Sequence, residues 1–139
     1  MNNKTGLVLI EQLVMLLVFA LCAAVILSVF TAAYGINRQA EDLDTAVHLA
    51  QMGAEALKAS VGNLESTARM LGGTVQGNLL TVSFDAQLTA VPRGTYLLFI
   101  EETYGTPSTI GQADIRVTLQ GTPDIPLFSL VVAWQEETT

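Results

Sequence analysis

The chain has 139 residues, half of them hydrophobic, with six basic and thirteen acidic side chains and a net charge of −7. That length holds one modest domain beside an anchor, and the acidic balance argues against nonspecific phosphate binding. With Cys22 as the only cysteine, no intramolecular disulfide can staple the fold.

Met1-Asn2-Asn3-Lys4-Thr5-Gly6 is short and polar, and Leu7-Val8-Leu9-Ile10 precede the first carboxylate, Glu11. The apolar run continues through Leu13–Phe30, eighteen residues interrupted chemically only by Cys22 and Ser28. Counted from Leu7 to Ile36, it is long enough to cross a hydrocarbon core about 30 Å thick. An acidic side chain in a bilayer costs roughly 2.5–3.5 kcal/mol or more, so Glu11 calls for a partner. Gly6 offers a processing enzyme a site without a side chain. Cleavage after it would leave Glu11 about one helical turn from a new α-amine at Leu7. That amine, on the same chain or on a neighbour, is the candidate partner.

The polar leader ending in Gly6, followed by Leu-Val-Leu-Ile-Glu on a hydrophobic helix, resembles the type III signal of the type IV pilin superfamily, the pilins and pseudopilins. The resemblance is close over about the first thirty residues and architectural beyond them. It implies that residues 1–6 are a leader removed on the cytoplasmic side by a membrane-embedded aspartyl prepilin peptidase. Leu7 would then be the first mature residue, usually N-methylated in the family. Glu11 would dock an incoming subunit against the terminus of one already in the filament. The family most often has Phe or Met where this chain has Leu7. Major pilins also tend to carry a Pro near the middle of the membrane segment, and none occurs around Ser28. The departure favours a minor pilin or pseudopilin. Its partners would be the peptidase, other pilin subunits and, before assembly, the cytoplasmic membrane. The implied location is a single pass with the N-terminus inside, followed by a cell-surface filament or pseudopilus.

Other readings of the same segment are weaker. An ordinary secretory signal could use Lys4 and a site at Thr31-Ala32-Ala33, but the apolar stretch exceeds about 7–15 residues and Glu11-Gln12 interrupt its start. A lipoprotein signal fails because Leu21, before Cys22, is too bulky. Cys22 is read as a small apolar filler. Lys4 before the span and Arg38 after it give only a thin charge asymmetry, so the orientation rests on the leader. An uncleaved single-span protein with a binding ectodomain is the alternative from a different functional class. It leaves the spacing of Gly6 and Glu11 unexplained.

Beyond the span, Leu43, Val47, Ala50, Ala54, Leu57 and Val61 recur four and three residues apart, an apolar seam on one helical face. The pattern predicts a continuous helix from about Leu7 to about Val61, with a further turn or short helix through Leu71 before Gly72-Gly73. Sheet packing suits this seam better than a coiled coil, because it spans only about three heptads and has small residues at Ala50 and Ala54. After Gly73 the period becomes strand-like. Leu80, Val82 and Phe84 follow a Gly77-Asn78 turn; Tyr96–Thr103 is a second strand; Ile115–Leu119 and Phe128–Trp134 alternate in the same way. The expected fold is α+β: a long N-terminal helix, transmembrane in one half and amphipathic in the other, packed against a four-stranded antiparallel sheet, as the pilin resemblance also implies. The expected boundaries are 1–6 for the leader, 7–34 for the membrane or filament-core helix and 35–139 for the head. Tyr104–Ala113 reads as an open loop, and Trp134 as core or a strand-end cap.

The chemistry-bearing residues do not form a catalytic constellation. His48 is the only histidine, on the helix beside the seam, and neither a zinc nor a calcium spacing is present. Glu101 and Glu102 point to opposite faces of a strand and cannot act as a pair. Arg38, Lys58, Arg69, Arg93 and Arg116 are scattered without interleaved aromatics, which argues against DNA binding. The expectation is a non-enzymatic subunit with no cofactor and no metal, whose processing residues are Gly6 and Leu7 and whose assembly residue is Glu11.

Overall fold

The computed structural model describes residues 2–104 and 110–135. In chain order they form α1 (Asn2–Ala59), α2 (Leu64–Leu71), β1 (Thr74–Gln76), β2 (Leu79–Phe84), β3 (Tyr96–Tyr104), β4 (Ile110–Leu119) and β5 (Thr122–Gln135). The chain divides into two compact units, Met1–Ala40 and Glu41–Thr139.

The first unit is the N-terminal part of α1. Its helix starts at Asn2 rather than at Leu7, because Asn3-Lys4-Thr5 contain no breaker and Gly6 alone costs only about 1 kcal/mol. No proline interrupts it. Its large apolar side chains, from Leu7 through Phe30, are exposed, and no described residue buries them. Among the described residues, α1 is the one helix long and apolar enough to cross a membrane.

The second unit is a helix-on-sheet domain. All five strands pair antiparallel in chain order, β1-β2-β3-β4-β5, as an open sheet. This is one strand more than the alternation predicts. The extra one, β1, has only three residues, too few to display a period, and it is joined to β2 by the Gly77-Asn78 turn. Gly77 takes φ +63° at the first turn position, which a side chain disfavours and a hairpin of this kind requires. The predicted loop at Tyr104–Ala113 is shorter than expected, since β3 runs through Tyr104 and β4 begins at Ile110. Gly105, Thr106, Pro107, Ser108 and Thr109 of that loop lie outside the described residues.

One face of the sheet supplies the core in transverse rows. Leu80, Ile100, Ile115 and Leu130 form one; Val82, Leu98, Val117 and Phe128 form the next. Each aliphatic side chain removed from water here contributes about 1.5–3 kcal/mol. The helix presents Ala46, Leu49, Ala50, Gly53 and Leu57 to this core. The predicted seam therefore has its phase corrected at both ends: Leu43 and Val61 are exposed and Val47 is half-buried, while Ala46 and Leu49 take the inner positions. Small residues decide the phase. A Cβ built on Gly53 would lie 3.2 Å from Leu98 Cδ2, so the glycine lets helix and sheet approach closely.

α1 ends at Ala59, two residues before Val61. Val61 and Gly62 both take positive φ, and the Gly62 amide returns to the Leu57 carbonyl at 2.9 Å. Asn63 then caps α2 by accepting from the Ser66 amide at 2.9 Å. At its other end Gly72, left-handed, donates back to the Ala68 carbonyl at 2.8 Å. Trp134 is buried at the end of β5, its indole lying against both Gly62 and Gly111. A side chain at either glycine would occupy the space of the ring.

Candidate functional site

Gly6, Leu7 and Glu11 fall on consecutive turns of the first unit's helix. A Cβ on Gly6 would meet nothing within 4 Å outside the helix's own backbone. Leu7 is 68% exposed, and Glu11 is also exposed. Leu7 and Glu11 are four residues apart and share a face. The Gly6–Leu7 peptide lies inside α1, close to its N-terminal end, where the first four backbone N–H groups have no partner within the helix.

Between Leu13 and Thr31 the two hydroxyl side chains of the helix turn back onto the backbone. The Ser28 hydroxyl donates to the Val25 carbonyl at 2.7 Å, and Thr31 Oγ1 donates to the Ser28 carbonyl at 2.9 Å. These returns to the backbone remove donors that would be costly in hydrocarbon. Cys22 is exposed on the same apolar surface. Glu11 is consequently the one acidic side chain on this unit, an isolated charge at the head of an apolar rod.

Elsewhere, the face of the sheet turned away from the core carries a second cluster. Arg116 Nη2 donates to Glu101 Oε2 at 2.8 Å, and Arg116 Nε lies 3.8 Å from Asp114 Oδ2. Glu101 and Glu102 do part to opposite faces, but Glu101 finds Arg116 across the strands, a relationship that only the β3–β4 register reveals. Beside this cluster is an open cleft of about 360 Å³. The sequence offered one signal for it, Pro123-Asp124 and Pro126 within a single strand, since proline in a strand marks an edge or a bulge. His48 is exposed on α1, and among the described residues no three metal-ligating side chains gather.

Comparison with protein-family models, curated proteins and solved structures found no match to this chain.

Proposed function

We propose that this chain is a minor pilin or pseudopilin: a non-enzymatic subunit processed by prepilin peptidase after Gly6 and assembled through its N-terminal helix into a type IV pilus-like filament. The observation that carries this reading is Glu11, the single carboxylate of the first unit, five residues past Gly6 on a helical stretch whose large apolar side chains are exposed. Loss of residues 1–6 would move the helix N-terminus, with its partial positive charge and a new α-amine, to Leu7. Glu11 would then lie in the first turn, where a negative charge is favoured by about 0.3–1 kcal/mol at an exposed site and by more out of water. In a filament the apolar helices of neighbouring subunits replace lipid. Pairing of Glu11 with a terminal amine selects one register there, since an unpaired carboxylate in such a core is penalised strongly. The helix-on-sheet unit forms the exposed head.

The testing experiment is the intact mass and N-terminal sequence of the protein from its native membranes, alongside Gly6→Val. A chain beginning at Leu7, with or without one added methyl group, and a full-length variant support the reading. A wild-type chain still beginning at Met1 overturns it.

One observation favours a second reading, an uncleaved single-span membrane protein: α1 is continuous from Asn2, so the leader and the apolar segment form one helix. Glu11→Ala separates the two. The anchor reading expects unchanged or better insertion and no lost function. The filament reading expects normal accumulation in the membrane and failed incorporation.

A further inference from the structure

The two edges of the open sheet are unequal. β1, at one edge, has three residues, and so short an edge gives another chain little to pair with. β5, at the other, has fourteen, and among the described residues it pairs only with β4. Its first part is guarded. Pro123-Asp124-Ile125 leave the ladder as an excursion, Leu127 is likewise without a partner in β4, and two prolines and a charge interrupt the edge. From Phe128 to Gln135 the register with β4 is unbroken, and this stretch holds no charged residue, proline or glycine. In an antiparallel strand each residue turns its N–H and C=O toward the same neighbour, alternately to one side and the other. Every second residue of β5 therefore presents both groups to the open side. The core rows are also unfinished here. Ile115 and Val117 are fully buried, whereas Leu130 and Phe128, the last members of the same rows, are only half-buried. On the other face Val131 is 61% exposed.

We infer that the free edge of β5 from Phe128 to Gln135 receives an extended segment of a different protein as a further strand of the sheet. The exposed backbone groups select the conformation, because only extended main chain matches a row of them at strand spacing. The unfinished rows select the side chains: apolar ones at alternate positions, continuing beyond Leu130 and Phe128. Charge selects the flanks. The edge is uncharged and the chain carries −7, so basic residues at the ends of the segment are attracted and acidic ones repelled. A second copy of this chain does not fit. Its β1 is three residues long and would leave most of the edge bare. Its β5, approaching parallel, would set the core face of one copy beside the outer face of the other and leave the rows unfinished. Approaching antiparallel, it would be turned by half a rotation about the sheet normal, which reverses the direction of its α1. Copies held by α1 in one membrane or filament run the same way, and this last step alone rests on the membrane reading of α1.

The test uses the full chain in lipid nanodiscs, with amide hydrogen exchange followed residue by residue by NMR. The readout lies on β5 and is independent of processing at Gly6. The probe is a blocked eight-residue peptide of alternating valine and threonine with a lysine at each end. One control carries proline at its two central positions, which removes a donor from each edge of the strand, and a second carries glutamate in place of the lysines. In the free chain alternate amides between Phe128 and Gln135 should be protected through β4, while the others exchange as exposed amides do. At about 1 mM, a concentration suited to a weak single-strand contact, the lysine-ended peptide should slow the outward set at least about fivefold. The proline control should leave it unchanged, and the glutamate control should protect at least about threefold less at low salt. Outward amides already slow in the free chain, no slowing with the probe, or equal slowing by either control overturns the inference.

Discussion

Tyr96, at the start of β3, donates its phenolic hydrogen to Asp42 Oδ1 on α1 at 2.8 Å, joining residues 54 positions apart. Burial raises the Tyr96 pKa above its ordinary value of 10.0, and the neighbouring Asp42 carboxylate raises it further. The native state therefore holds this proton more tightly than the unfolded chain does. Stability from the protonated phenol is fully present below the unfolded pKa and is lost as pH rises from about 10 through the native value. Denaturant midpoints measured across alkaline pH should fall for the wild type, and Tyr96→Phe should flatten that part of the decline. An unchanged slope in the variant would refute it.

Trp134 and Gly111 supply a second prediction. Gly111 has no positive φ, so Gly111→Ala imposes no backbone strain and tests only the space beside the indole. Overpacking of this kind costs about 1–3 kcal/mol. Thermal unfolding followed by the fluorescence of the sole tryptophan should show a midpoint several degrees lower, with the native emission shifted. A variant as stable as wild type would mean that the ring relocates freely.

Val61 is β-branched and takes φ +51° at the end of α1 while remaining 58% exposed. The left-handed conformation costs an ordinary L-residue roughly 1–2 kcal/mol, and asparagine tolerates it better. Val61→Asn should raise stability by about 0.5–1 kcal/mol in chemical denaturation, with Val61→Ala gaining less. A loss in the asparagine variant would show that the valine side chain makes contacts worth more than the strain.

The phase of the helical stripe can be tested with one residue type at two positions. Leu49 is fully buried and Leu43 is 48% exposed. Leu49→Ala should cost about 2–5 kcal/mol and Leu43→Ala less than about 1, read from urea midpoints at unchanged slope. Equal costs would restore the stripe that periodicity alone suggests.

The long helix, the short capped helix and four of the strands were legible because each rests on a local signal: an apolar run, the Gly72-Gly73 stop, or alternation such as Leu80-Val82-Phe84. β1 was not, since three residues carry no period and pair only because Gly77-Asn78 turns them onto β2. The stripe on α1 was misphased for a different reason. Ala46 and Gly53 are inward because they are small enough for the sheet to approach, whereas a search for large apolar residues weights Leu43 and Val61. Gly6, Leu7 and Glu11 stand out through sequence spacing alone, Glu11 lying five residues past Gly6, and their processing and assembly roles belong to the proposal. The outer-face cluster does not: Arg116 meets Glu101 across fifteen positions, through a strand register no local pattern encodes.

The unpaired excursion of β5 is separable from the sheet that bears it. Excising Pro123-Asp124-Ile125 would bring Thr122 and Pro126 into sequence opposite Leu119 and Thr118, leaving Leu127 as the one extra residue of that stretch of the ladder. The hairpin would close while the cleft lost a wall. A short insertion of this sort can be lengthened, exchanged or discarded in descent without disturbing the core beneath it. Changes confined to this excursion would leave the packed rows from Leu80 to Leu130 and from Val82 to Phe128 in register.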